Sequence, residues 1–157
     1  MDRMLKANTV KRRTHSLFRQ GCHYHAAIPA MKQELLEPPG RIIERYLRPD
    51  GFTLVLSEAI VEEVLRTLEY PKVRRYVRRD LDSALWFEDL VVLAELVSGT
   101  VQVSGVTTDP DDDKYLAAAV AGRASFVVTG DPHLLTAGQY EGIRIVNPRA
   151  FLDLLGS

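Results

Sequence analysis

From residue 39 onward, the apolar positions alternate between compact runs and stripes spaced for a helix. "GRIIERYL" (40–47) predicts a helix, and "FTLVLS" (52–57) predicts a short strand. "SEAIVEEVLRTLEY" (57–70) predicts an amphipathic helix with Ser57 as its N-cap and Pro71 just past its end. Two helical stretches follow, "PKVRRYVRRD" (71–80) and "DSALWFEDLVVLAELVSG" (82–99), the second closed by Gly99. The series continues with a strand "TVQVS" (100–104), an acidic alanine-rich helix and a strand "SFVVT" (125–129). A short helix after "GDPHLL" (130–135), a strand "IRIV" (143–146) and a final helix "PRAFLDLLG" (148–156) complete it. Short, nearly all-apolar strands separated by helices indicate a parallel sheet covered on both faces. The expected fold is therefore α/β, a three-layer α/β/α sandwich with a central parallel sheet. Before residue 39 the pattern is poor, and "SLFRQGCHYHAAI" (16–28) is the only stretch there that reads as a strand.

With 157 residues, 46% of them hydrophobic, the chain has the size and apolar content of one domain. The expectation is one unit over 1–157, whose first 22 residues form a divergent basic segment. A single cysteine, Cys22, excludes an internal disulfide framework and fits a reducing compartment, so the cytoplasm is the expected location. The N-terminus lacks the apolar run of a secretory signal, and no segment has the length of a membrane span. A net charge of -1 gives no global positive field. Basic residues nevertheless cluster at Lys11 to Arg13 and in "PKVRRYVRR" (71–79), runs that in isolation read as solvated helix faces.

The acids concentrate in "VTTDPDDDKYLAAAVAG" (106–122). In open parallel sheets, ligands sit outside the carboxyl ends of the strands. Asp109 to Asp113 are expected to follow a strand around Val101 to Val103, and Asp131 follows "SFVVTG". Glu62 or Glu63 lies in the helix after "TLVLS". Asp before Pro at a helix start is also an ordinary cap, so Asp109 and Asp131 taken singly read equally well as caps. Helical geometry places Asp112 on the side of Tyr115, Leu116 and Ala119, with Asp111 and Asp113 flanking it. A carboxylate aimed inward needs a partner, and a metal ion is a natural one. Glu62 and Glu63 border the stripe of Ile60, Val61, Val64, Leu65 and Leu68 almost symmetrically, so the helical wheel does not choose between them.

Hard carboxylate oxygens without a cysteine cluster suit Mg²⁺ or Mn²⁺ rather than zinc. No glycine-rich phosphate loop, G-x-S-x-G elbow or H-E-x-x-H is present. Metal-assisted phosphodiester hydrolysis is the reaction that remains.

Three blocks carry a resemblance: "LVLSEAIVEEVLRTLEYPKV" (54–73), "DPDDDKYLAAAVAGRASFVVTGDPHLL" (109–135) and "GIRIVNPRAFLDLL" (142–155). In them the chain resembles PIN-domain proteins, in particular the prokaryotic group of toxin components of toxin–antitoxin pairs. The resemblance extends from about residue 38 to the end. It implies four acidic positions that bind one or two divalent cations and cut RNA. By motif the second acid falls on Glu63 and the third on Asp112, with Asp113 as the alternative if the register shifts by one. The fourth falls on Asp131, with Thr129 beside it to order the ligands and Asp109 as a cap or outer partner. The first acid is the departure. Counting back from "IPAM" (28–31), "HYH" occupies the place of the family's Asp-Thr-Asn, so that His23 stands for the aspartate, Tyr24 for threonine and His25 for asparagine. Either His23 is a metal ligand, better suited to Mn²⁺ than to Mg²⁺, or its presence impairs catalysis. The second alternative is the one adopted.

Two functional readings follow. In the first, the protein is a divalent-metal-dependent endoribonuclease acting on single-stranded RNA. Glu63, Asp112 and Asp131 hold the metal, while Lys72, Arg74, Arg75 and Arg78 track phosphates. In the second, it is a weakly active or inactive binding module for an antitoxin, RNA or a second copy of itself. A phosphatase or receiver domain is disfavoured, because no strand ends in the paired or nucleophilic aspartate that such proteins require.

Overall fold

The computed structural model describes residues 8–12, 40–48, 51–75, 79–80 and 82–156. Among these, six strands form one sheet: β1 (Asn8–Arg12), β2 (Phe52–Ser57), β3 (Glu95–Val97), β4 (Phe126–Val128), β5 (Gln139–Tyr140) and β6 (Ile143–Val146). Their order is β3-β2-β1-β4-β6-β5. β2 pairs with β3 in parallel, as β4 does with β6, while β1 is antiparallel to both β2 and β4. A strand antiparallel to both neighbours leaves those neighbours parallel to each other. Hence β2, β3, β4 and β6 all point one way, and their carboxyl ends share one edge.

The α/β class matches the apolar pattern, and the central strand adds to it. β1 lies in the basic N-terminal segment, where the apolar pattern marks no element, and its direction makes the sheet mixed. The strand expected within residues 16–28 lies outside the described residues, as do Cys22 and His23 to His25. β5 is also additional, joined to β6 by a tight hairpin. Glu141 and Gly142 turn it with φ of 47° and 82°, the positive values that a two-residue turn between twisted strands requires.

Helices cover both faces. On β2, Phe52 and Val55 are three residues apart and so point to opposite sides. Phe52 meets Tyr46 of α1 (Arg41–Tyr46) at 5.5 Å between ring centroids. It also meets Phe151 of α7 (Pro148–Leu154) edge-on at 5.2 Å. Val55 instead faces the end of α5 (Asp113–Ala121), where a Cβ added to Gly122 would lie 2.4 Å from Val55 Cγ1. Only a glycine lets this helix end approach the sheet so closely. α2 (Glu58–Leu68) follows β2 directly, with Ser57 Oγ accepting from the Ile60 amide at 3.4 Å. Among the described residues, no helix is long and apolar enough to cross a membrane.

Two expected elements are redrawn. The helix expected over 82–99 ends early: α4 spans Ser83–Val92, and Glu95–Val97 forms β3 beside β2. The amides of Leu93 and Ala94 turn back onto the carbonyls of Leu90 and Val91, closing the helix before the strand begins. A largely apolar run such as "LVVLAELV", interrupted only by Glu95, fits helix and strand alike, so periodicity does not place this boundary. The expected strand at 100–104 is accordingly a loop, although Val101 and Val103 are half-buried and Gln102 is exposed. The helix expected over 71–80 is described only as α3 (Pro71–Arg74), continued by Arg75; residues 76–78 lie outside the described set.

The loop between β3 and α5 is tied by Asp113, whose side chain is buried. Its Oδ2 accepts from the Gly105 amide at 2.8 Å. Its Oδ1 accepts from the Thr107 amide at 3.0 Å and from Thr107 Oγ1 at 2.8 Å. Gly105 has a φ of 72°, a conformation that favours glycine.

Two stability predictions follow from these contacts. Gly122→Ala should destabilise the fold by about 1–3 kcal/mol through overpacking against Val55. Combined with Val55→Ala, it should lose less than the sum of the two single changes in denaturant titrations. Asp113→Ala leaves two amides without their acceptor and should cost about 1–3 kcal/mol. Hydrogen exchange at Gly105 and Thr107 should accelerate in that variant, and unchanged exchange would show that the loop is held by other means.

Candidate metal centre

The acidic stretch enters α5 through a short 3-10 turn, Pro110–Asp112. Asp109 caps this turn, its Oδ1 accepting from the Asp111 amide at 3.0 Å and its carbonyl from the Asp112 amide at 2.9 Å. The tightened turn decides which carboxylate goes inward. Asp111 stays exposed, whereas Asp112 is only 1% exposed. Three residues on, Tyr115 is 3% exposed on the same helix face.

Glu63 comes from the middle of α2. Its neighbour Glu62 is exposed, but the Glu63 side chain is only 22% exposed. Of the two glutamates that border the apolar stripe, Glu63 is thus the one turned toward α5. Tyr115 marks where the acids meet: its hydroxyl donates a hydrogen bond to Glu63. Its pKa is driven well above the usual tyrosine value, first by burial, then by the charge of Glu63 and this hydrogen bond, then by Asp112 and Asp111. The hydroxyl therefore stays protonated and acts as a donor to Glu63.

A cation already stands there. Lys114 Nζ forms an ion pair with Glu63 Oε2, and its side chain is 28% exposed. The same ammonium lies 5.6 Å from the centroid of the Tyr115 ring. Lys114 and Tyr115 are the members of this group that sequence reasoning missed. The signal in the sequence is Tyr115's place on the helix face of Asp112, a position that core packing alone would also explain.

The remaining candidates divide by position. Asp131 follows β4 at the carboxyl edge of the sheet and caps α6 (Pro132–Ala137), its Oδ1 accepting from the His133 amide at 2.8 Å. Thr129, fully buried, accepts from the Asp131 amide at 3.0 Å through Oγ1 and thereby fixes the turn. Asp113, the alternative to Asp112, directs both oxygens to the loop rather than to Glu63. Lys72, Arg74 and Arg75 are exposed around α3, anchored by the buried Val73. Arg78 and His23 lie outside the described residues.

Among the described residues, no three His, Cys, Asp or Glu side chains come close enough to hold an ion together. The structure sets two carboxylates about Tyr115: Glu63, which accepts its hydrogen bond, and the buried Asp112, whose charge acts on the same hydroxyl. This donor set fits a hard divalent cation, since Mg²⁺ is commonly bound through one or two carboxylates and keeps several waters.

A family model for the PIN domain matches residues 31–133, a span that contains Glu63, Asp112, Lys114, Tyr115, Thr129 and Asp131. No curated protein and no solved structure matches the chain. PIN domains are typically metal-dependent nucleases, and they generally use divalent ions. The match covers well over half of the chain and includes the elements that converge on Tyr115. The chain belongs to the PIN-domain family.

Proposed function

We propose that the protein is a divalent-metal-dependent endoribonuclease of the PIN toxin type, cleaving single-stranded RNA. The observation that carries this reading is the convergence of Glu63 and the buried Asp112 on the Tyr115 hydroxyl, within a chain of a nuclease family. Glu63 and Asp112 would hold Mg²⁺ or Mn²⁺ directly, with Asp131 reaching the ion through its water shell. When bound, such an ion activates a water and neutralises charge on the phosphodiester. Tyr115 orients Glu63 by its hydrogen bond, and the 3-10 turn orients Asp112. The cap at α6, backed by Thr129, holds Asp131 at the same sheet edge. Exposed Lys72, Arg74 and Arg75 offer the positive charge that an RNA backbone requires, with Arg78 continuing the run in sequence. The toxin assignment and a cognate antitoxin as partner rest on the three resembling sequence blocks; a homodimer is compatible with the same reading.

A second reading, a PIN-fold binding module with little catalysis, is favoured by one observation. "HYH" at 23–25 removes the first acid of the family pattern, and with it a negative charge from the ligand set.

A labelled single-stranded RNA incubated with the full chain in Mn²⁺, in Mg²⁺ and in EDTA separates the two. The ribonuclease reading expects metal-dependent cleavage that falls about 100-fold or more in Asp112→Asn, the scale seen when a group stabilising transition-state charge is removed. RNA retained uncut in both metals would instead favour the binding module. Recovery of Mg²⁺-dependent cleavage on His23→Asp with Tyr24→Thr and His25→Asn would then locate the loss in the first acid.

A further inference from the structure

We infer that Lys114 is the resident counter-ion of Glu63 and competes with the divalent ion for that carboxylate, so that metal binding requires the ammonium to leave. The inference rests on the metal-site reading above and adds a residue that sets the affinity of that site.

Three features support it. The first is position: Lys114 Nζ is paired with Glu63 Oε2, the carboxylate to which Tyr115 donates. Asp112, two residues before Lys114, is one of the two other carboxylates acting on the same hydroxyl. One positive charge therefore stands where the negative charges gather. The second is accessibility. With 28% of the Lys114 side chain and 22% of Glu63 exposed, the pair sits at the boundary with solvent, and the ammonium can swing outward without disturbing the core. Asp112, at 1% exposure, has no such freedom and stays as a fixed partner for the incoming ion. The third is chemistry. A lysine head is a compact point charge on a flexible stem, in contrast to the planar fork of arginine that grips a carboxylate through two bonds. It neutralises Glu63 while remaining replaceable. Its passage past the Tyr115 ring, 5.6 Å from the centroid, keeps it within the site rather than on the open surface.

Competition has a definite thermodynamic form. The apparent affinity of the ion is its intrinsic affinity reduced by the fraction of molecules in which Glu63 is not held by Lys114. Removing the ammonium should thus tighten metal binding while destabilising the metal-free protein, in which Glu63 loses its ion-pair partner. A salt bridge that merely decorates the surface would change neither quantity appreciably.

The test is a calorimetric Mn²⁺ titration of the full chain, paired with thermal melting with and without Mn²⁺. Lys114→Met should bind Mn²⁺ roughly 2- to 5-fold more tightly than the unaltered chain, the range that a solvent-accessible ion pair can hold back. Without metal its melting temperature should be lower, and the rise on adding Mn²⁺ larger. Lys114→Gln serves as a second neutral variant should the methionine form fold poorly. Lys114→Arg should bind Mn²⁺ no more tightly than the unaltered chain. In a Glu63→Gln background, Lys114→Met should have no further effect on Mn²⁺ affinity. Equal or weaker Mn²⁺ binding by both neutral variants, beside measurable binding by the unaltered chain, would overturn the competition and leave the metal site standing. An equal gain in the Glu63→Gln background would reduce the effect to general electrostatics and also overturn it. Absence of Mn²⁺ binding in every form would remove both the competition and the metal site.

Discussion

The burial of the Asp112 carboxylate is the constraint around which the acidic end of this molecule is organised. A carboxylate at 1% exposure is costly unless charge and hydrogen-bond donors are brought to it. The chain forces it inward by local means: Asp109 caps the turn, Pro110 starts it, and the 3-10 geometry rotates Asp112 beneath α5 while Asp111 stays in water. Tyr115 closes the arrangement from one side and α2 brings Glu63 from another, with Lys114 supplying the positive charge. Asp113, one residue later, holds the loop that leads into the turn. Four adjacent residues, Asp112 to Tyr115, therefore do four different things within a single helical turn.

The sheet decides where this turn sits. β2, β3, β4 and β6 run in one direction, so α2, the acidic turn and the Asp131 cap all follow strand ends at the same edge. Close approach of α5 to the sheet depends on Gly122, whose missing side chain lets the helix end touch Val55. Backbone geometry thus brings Glu63 and Asp112 to one place from positions 49 residues apart in sequence.

Much of this was legible in the chain. Ser57, Asp109, Asp131 and Asn147 each precede a helix or helical turn and cap it through a side-chain oxygen, as local chemistry dictates. Inward placement of Asp112 followed from helical periodicity. What could not be read depended on tertiary partners. The apolar run 90–97 is helix and then strand because β2 offers a parallel edge to Glu95–Val97, a fact that lies outside the run itself. Glu63 separates from Glu62 only because α5 lies on its side and presents Lys114 and Tyr115. β1 was illegible for a different reason: "NTVKR" has neither alternation nor an apolar run, and its place depends on the strands on both sides.

The central claim is that Glu63 and Asp112 together form a cation site. Crystals grown with Mn²⁺, measured for the anomalous scattering of that ion, test it most directly. The account predicts a single strong peak shared by the Glu63 and Asp112 carboxylates, with the Lys114 ammonium withdrawn from Glu63. A peak elsewhere, or an intact Lys114–Glu63 pair with no peak beside Asp112 at millimolar Mn²⁺, would contradict it.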